Sequence, residues 1–289
     1  MSDLKFKRGG SFLVEDLDVA GVYVPEELSP EHRAFAKTVR DFVAQEIHPN
    51  RDRLEHKDYD LACEKLKKAG ELGLLMVDVP ERYDGLGADK ITSMIVTDAL
   101  GSAGSFATTL GAHVGIGTLP IVFFGDDAQK KKYLPKLATG EWIGAYALTE
   151  PTSGSDALGA RCKAVLSDDG THYVLSGTKQ FITNAGFADV FTVFAQTEVE
   201  IDGQKKDRIT AFIVERAFGG VESGPEEHKL GIKGSSTTAI HFDGCKIPVA
   251  NVLGEVGGGF KIAMTILNNG RFGLAAGCVG GAKRLIKDA

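Results

Sequence analysis

The stretch Glu141-Trp142-Ile143-Gly144-Ala145-Tyr146-Ala147-Leu148-Thr149-Glu150-Pro151-Thr152-Ser153-Gly154-Ser155-Asp156 is where the texture of the chain changes. Before it, apolar residues recur at helical spacing; after it, they come in short strand-like runs. Residues 143–148 are themselves an apolar run of strand length. Residues 149–156 form a loop of small and hydroxyl residues. Such a loop can turn several backbone N–H groups toward one point and add Ser and Thr hydroxyls, which is how a protein cradles a pyrophosphate without a cation. The same composition also suits a plain surface turn.

Upstream, Ser29-Pro30-Glu31 is a helix start, with Ser29 as N-cap, Pro30 at the first helical position and an acid in the first turn. Phe35, Val39, Phe42, Val43 and Ile47 then fall on one face, and His48-Pro49-Asn50 closes the helix. The pattern predicts a second helix over residues 59–70, a buried link over 74–80 and a turn at Asp84-Gly85-Leu86-Gly87. Two buried helices follow over 91–100 and 108–124, and a short amphipathic one over 126–138, ending at Thr139-Gly140.

Downstream, strands are predicted at residues 143–148, 164–166, 173–176, 190–196, 209–214 and 238–242. Turns separate them at Asp168-Asp169-Gly170, Asp202-Gly203, Phe218-Gly219-Gly220 and Asp243-Gly244. Strands without intervening helices argue for an antiparallel barrel or sandwich. From Phe260 the pattern is helical again. The expected fold class is therefore α+β: an N-terminal extension over 1–28, a helical domain over 29–141, a middle β-domain over 142–254, and over 255–289 the start of a C-terminal helical bundle. That last helix carries Ile262, Ile266, Phe272, Leu274, Val279 and Leu285 and shows no C-cap. It either lies across the other two domains or belongs to a domain whose other helices are outside this chain; the second is the expectation.

Composition narrows the function. With 33 Lys+Arg against 39 Asp+Glu the net charge is −6, which argues against a nucleic-acid partner. No apolar stretch approaches the ~18 residues of a membrane span. The start, with Asp3, Glu15 and Asp16, resembles neither a signal peptide nor a presequence. Cys63, Cys162, Cys245 and Cys278 are far apart and read as reduced thiols, so the expected location is the cytoplasm of a bacterium, with a mitochondrial matrix as the alternative. The seven histidines form no ligand pair, and no metal site is expected. Phosphate-loop, zinc-protease, serine-elbow and Rossmann signatures are absent. Glycine is in excess: 36 residues, about 12% against a usual level of roughly 7%.

A second segment, Lys179-Gln180-Phe181-Ile182-Thr183-Asn184-Ala185-Gly186, places an aromatic and a hydroxyl two apart on a strand, hence on one face. One can cover a flat ring while the other donates to its edge. Core packing of Phe181 and an ordinary satisfied hydroxyl at Thr183 are the plain alternative.

Taken with Tyr133-Leu134-Pro135-Lys136-Leu137-Ala138-Thr139-Gly140-Glu141, Leu230-Gly231-Ile232-Lys233, Lys246-Ile247-Pro248 and Leu267-Asn268-Asn269-Gly270-Arg271, these segments resemble the acyl-CoA dehydrogenases in order and spacing over residues 30–289. Through Asn268-Asn269-Gly270-Arg271-Phe272-Gly273 the resemblance is to the very-long-chain branch. It implies FAD, a fatty acyl-CoA thioester as substrate, α,β-dehydrogenation in fatty acid β-oxidation, an electron-transfer flavoprotein as acceptor and a homo-oligomer in the full-length form. It further implies that Tyr146, Leu148, Thr149, Gly154 and Ser155 wrap the flavin, with Leu148 and Thr149 near its pyrimidine edge. Phe181, Ile182 and Thr183 lie against its other side, and Ser155, Asn268 and Arg271 hold the CoA ester. Relatives mostly carry Trp at the place of Phe181; Phe keeps the aromatic face but not the indole N–H.

The chemistry needs a carboxylate to take the proton α to the thioester. In a minority of relatives it precedes the Arg of the last helix, but here Gly270 fills that slot. In the rest it lies late in the C-terminal domain, which places it beyond Ala289. No catalytic residue is assigned within the chain, and the 289 residues alone are expected to be an inactive N-terminal fragment. A non-catalytic protein that binds acyl-CoA, flavin or another subunit on the same fold is the alternative. An acyl-CoA oxidase or flavin monooxygenase is a third possibility. Gly111, Gly115 and Gly117 either leave room for a long acyl chain or serve helix packing.

Overall fold

A computed structural model describes Val14, Asp16 and residues 24–289, so most of the expected extension over 1–28 lies outside the described residues. Helix α1 (Pro30–Phe42) starts where its cap predicts: Ser29 Oγ accepts the His32 N–H at 3.1 Å, and His32 Nδ1 accepts the Ser29 N–H at 3.3 Å. The helix does not stop at His48. It runs on through π turns at Val43–Ile47 and a 3-10 turn at His48–Asn50 into α2 (Arg51–Glu55). Asp58, Asp89 and Asp126 cap α3 (Tyr59–Glu71), α4 (Lys90–Leu100) and α7 (Asp127–Thr139) through their carboxylates.

Between them, α5 (Ser105–Gly111), π turns at Ala112–Thr118 and α6 (Leu119–Phe124) make one unbroken helical stretch. This corrects the sequence reading: Ser105–Phe124 is long and apolar enough to cross a membrane by length and composition. It is mostly buried within the molecule instead. His113 marks its centre and is fully buried. Its Nε2–H donates to the Leu137 carbonyl at 2.9 Å, and its Nδ1 accepts the Gly144 N–H at 2.9 Å. One side chain thereby joins the stretch to α7 and to the first strand.

The strands are β1 (Gly144–Ala147), β2 (Lys163–Leu166), β3 (His172–Thr183), β4 (Val190–Ile201), β5 (Gln204–Glu215), β6 (Val221–Glu226), β7 (Thr237–Pro248) and β8 (Val252–Leu253). They form one eight-stranded sheet in the order β6-β7-β3-β2-β4-β5-β8, with β1 parallel to β4. β4 and β5 pair over their full length around Asp202-Gly203, whose φ values of 53° and 71° give the doubly left-handed turn that a two-residue hairpin favours. Both faces of this hairpin are covered. Phe194, Ile209, Ala211 and Ile213 face the cluster built with α6, α7 and the next helix, while Phe191, Val193, Phe212 and Val214 face the cluster within the sheet. The sheet curls: Tyr173 of β3 packs edge-on against Phe212 of β5, ring centroids 5.1 Å apart, although β2 and β4 lie between them in strand order. It stays open, ending in β6 and β8, so it is a curled sheet without closure into a barrel.

Helix α8 (Gly259–Asp288) buries Ile262, Ala263 and Ile266 against the sheet and Gly280 against α4. A Cβ at Gly280 would overlap the Asp98 carbonyl, so only glycine permits that crossing. Lys283 then reaches both Asp98 carboxylate oxygens at 2.8 Å. The helix thus lies across both the helical and the β parts. Its opposite face leaves Phe272, Val279 and Ile286 exposed, and Leu274, on the lining of a cavity, and Leu285 are exposed beside the buried stripe.

Candidate flavin and acyl-chain site

The topology makes the Ser-rich loop project. β1 and β2 share one edge of β4: β1 ends with Ala147 beside Val193, and β2 begins with Lys163 beside Gln196. Residues 148–162 therefore leave and re-enter the sheet within three residues of β4 and must bulge out of it. Gln196 fastens the returning limb: its Nε2 donates to the Leu158 and Ala160 carbonyls at 3.1 and 3.2 Å, and its N–H to the Cys162 carbonyl at 2.8 Å.

The tip is a tight turn. Glu150 and Ser153 exchange N–H···O=C bonds of 2.9 and 3.1 Å, and Ser153 Oγ donates to the Asp156 carbonyl at 2.6 Å. Thr152, Gly154 and Ser155 are exposed. Among the described residues, their N–H groups and the Thr152 and Ser155 hydroxyls donate to nothing. A Cβ at Gly154 would meet no atom within 4 Å, so the loop is open to close approach there.

Beneath the loop, the Lys179 ammonium is fully buried and lies 2.7 Å from a Glu150 carboxylate oxygen. Burial pushes the Glu150 carboxyl up, but the Lys179 bond and the N–H groups of Arg161 and Cys162 outweigh it and hold the pKa below the usual carboxylate value.

β3 supplies the other half of the site. A bulge between Lys179 and Ile182 sets Phe181 at φ 57°, an unusual conformation for an aromatic residue, and leaves the residue 61% exposed. The expected strand alternation is thus interrupted between Phe181 and Thr183. Ile182 points into the core of the sheet, and Thr183 lies on a cavity wall. Asn184, at φ 67°, donates through Nδ2 to the Thr109 carbonyl at 2.9 Å and fastens this segment to α5. The Gln180 N–H donates to the Thr149 carbonyl at 2.8 Å, so loop and bulge are adjacent.

Of the residues expected to hold a flavin, Thr149, Gly154, Ser155, Phe181 and Thr183 offer accessible groups. The side chains of Tyr146, Leu148 and Ile182 are buried. Tyr146 directs its hydroxyl to the Ala263 carbonyl of α8 at 3.4 Å, and burial pushes its pKa up, so it is a neutral core phenol. Neutral donors around an open loop, next to an exposed aromatic face, fit FAD.

A cavity of about 480 Å³, open to solvent on one side, reaches Thr183 and is lined by α4, the α5–α6 stretch and α8. The glycines divide. A Cβ at Gly111 or Gly115, one turn apart on the cavity wall, would meet nothing within 4 Å. A Cβ at Gly117 would fall 2.7 Å from the Gly144 carbonyl carbon, so that glycine serves packing. Across the cavity, Gly270, Gly273 and Gly277 widen it from the α8 side.

Among the described residues the one carboxylate on its lining is Asp78, held by Lys90 at 2.5 Å and Ser93 at 2.9 Å. Gly270 brings no side chain, and Glu255 is exposed in the loop before α8. Asn268 and Arg271 are exposed and bonded to each other, beside the cavity residues Asn269 and Gly270. Sequence reasoning missed Lys179 and the α8 glycines at 273 and 277. The available signal for Lys179 was a lysine in the alternating series Tyr173, Leu175, Gly177, Lys179, whose earlier members are uncharged.

Residues 29–141 match the acyl-CoA dehydrogenase N-terminal domain, and residues 145–245 the acyl-CoA dehydrogenase middle domain. The chain is 55% identical over 281 residues to a probable acyl-CoA dehydrogenase of Bacillus subtilis, which covers 97% of this chain and 46% of that protein. It is 49% identical over 273 residues to the mitochondrial very long-chain specific acyl-CoA dehydrogenase of Bos taurus, covering 92% of this chain and 41% of the relative. A crystal structure of an acyl-CoA dehydrogenase complexed with FAD from Bacillus anthracis superposes with a TM-score of 0.91 at 53% identity, covering 96% of this chain and 46% of that one. The chain thus spans less than half the length of these relatives. With its helical and its β parts each matching the corresponding domain, the chain belongs to the acyl-CoA dehydrogenase family.

Proposed function

We propose that these 289 residues form the flavin and acyl-chain site of an FAD-dependent acyl-CoA dehydrogenase that acts on fatty acyl-CoA in β-oxidation. The observation that carries this reading is one juxtaposition. An open, cation-free donor loop and an exposed Phe181 stand beside a glycine-widened apolar cavity that reaches Thr183. Thr149, Gly154 and Ser155 would hold FAD from the loop, and Phe181 and Thr183 from β3. Bound FAD supplies the acceptor for the hydride that leaves the acyl β-carbon. The cavity takes the acyl tail in an apolar lining, and Gly111 and Gly115 give it length. Ser155, Asn268 and Arg271 are placed to meet the CoA portion, with the Arg271 guanidinium suited to its phosphates.

The base is the missing part. Asp78 is already tied to Lys90 and Ser93, and no other carboxylate lines the cavity among the described residues. We assign the proton abstraction to a carboxylate outside the 289 residues. The exposed apolar face of α8 fits packing against further helices or a second copy, as a homo-oligomer requires. Electron-transfer flavoprotein is the proposed electron acceptor.

Two measurements test the reading. With saturated acyl-CoA and an artificial electron acceptor, the 289-residue chain is expected to show no turnover; clear turnover would mean that a base lies within it. Ser155→Glu sets a negative charge against the phosphates and should abolish FAD retention through gel filtration. Undiminished retention would put the phosphates elsewhere.

A further inference from the structure

Packing does not account for the ion pair under the loop. Lys179 is 0% and Glu150 5% exposed. Desolvating two charges is costly, and an apolar pair of similar volume would hold such a position at least as well. The bonds supply a reason. Lys179 Nζ donates to Glu150 Oε1 at 2.7 Å and to the Leu148 carbonyl at 3.0 Å. The Glu150 carboxylate also accepts the N–H groups of Arg161 at 2.5 Å and Cys162 at 3.0 Å. One charged pair therefore fastens both limbs of the projecting loop to β3, directly before the bulge that carries Phe181.

Peptide geometry takes this further. In a trans peptide the N–H points opposite to the C=O. The Leu148 C=O is turned inward onto the buried ammonium, so the Thr149 N–H of the same peptide points away from it. No acceptor among the described residues takes that N–H. The next peptide is spoken for on both sides: the Thr149 carbonyl accepts from Gln180 at 2.8 Å, and the Glu150 N–H goes to Ser153 at 2.9 Å.

We infer that Lys179, paired with Glu150, is a positioning residue for FAD: it sets the Leu148–Thr149 peptide so that the Thr149 N–H is presented to an acceptor of the bound cofactor. Lys179 touches no ligand itself. The inference rests on the FAD reading above.

Two variants of the 289-residue chain test it. Lys179→Met removes the donor but strands a buried carboxylate. Lys179→Met combined with Glu150→Gln removes both charges and avoids that penalty. In the double variant FAD should bind about tenfold more weakly, as loss of one oriented hydrogen bond predicts, read by titration of flavin fluorescence. Without FAD, hydrogen exchange should quicken at residues 148–156 and stay at the parental rate in β4 and β5. Parental FAD affinity in the double variant would overturn the inference. So would equal acceleration in the loop and in β4 and β5, because the pair would then be a general stabiliser. A parent chain that binds no FAD would overturn the cofactor reading and the inference with it.

Discussion

Among the described residues two basic side chains are wholly buried, one as a neutral ring and one in an ion pair. His113, in the seam between the helices and the sheet, has a carbonyl on one ring nitrogen and an N–H on the other. That pair of partners fits a neutral imidazole with its proton on Nε2, and burial pulls the pKa down from 6.5 to about 4. Lys179, under the loop, has only donors to offer and meets a carboxylate at 2.7 Å. Burial alone thus does not set the state of a basic group; its immediate partners do. The neutral seam holds two parts of the fold together at little electrostatic cost. The charged clamp is expensive, and it sits where a peptide has to be oriented.

The largest effect should come from breaking the clamp on one side. Lys179→Met strands the Glu150 carboxylate and should cost about 3–5 kcal/mol in urea denaturation, with most of it recovered when Glu150→Gln is added. A single variant as stable as the parent would mean that the clamp carries no more charge than the seam.

Acid should separate the two regions next. The unfolded chain protonates His113 near pH 6.5, whereas the folded chain resists until about 4. Between those values the unfolded state binds more protons, so stability is complete above pH 6.5 and declines by about 3 kcal/mol as the pH falls to 4. The Glu150 contribution has the usual carboxylate sign: present above 4.5, and lost as the pH drops through its lowered folded value. Denaturation midpoints should therefore fall in two stages, and His113→Gln should remove the slope of the first stage alone. An unchanged slope in that variant would show that other groups carry it.

The smallest effect sharpens the seam. Thr118 Oγ1 donates to the His113 carbonyl at 2.9 Å. Thr118→Val should cost about 1 kcal/mol, measured alike at pH 7 and pH 5, because that bond does not depend on the ring's protonation. A cost that grew on acidification would couple this hydroxyl to the imidazole.

Features with local causes were legible in the sequence. The capped start at Ser29, the helix start at Asp126 and the turn at Asp202-Gly203 each depend on a few adjacent residues, and the structure has them. β6 was not legible. Val221-Glu222-Ser223-Gly224-Pro225-Glu226 contains Gly and Pro and does not alternate. It is extended because β7 offers an edge, from Val221 beside Phe242 to Glu226 beside Thr238, and an edge strand tolerates proline. β3 was read as two pieces because its bulges interrupt the alternation.

The site divides in the same way. The hydroxyl-rich makeup of residues 149–156 and the aromatic at Phe181 are properties of the sequence, and they point to a cradle without a cation beside a flat ring. Whether that cradle projects was decided by tertiary structure, since β1 and β2 both take the same edge of β4. Whether a glycine means space or contact was likewise decided by what stands opposite: nothing at Gly111 and Gly115, the Gly144 backbone at Gly117. Lys179 acquires its role only from Glu150, 29 residues away in sequence and 2.7 Å away in space. Capping, turns and composition are short-range and can be read along the chain. Charge state, cavity and peptide orientation depend on partners that only folding brings together.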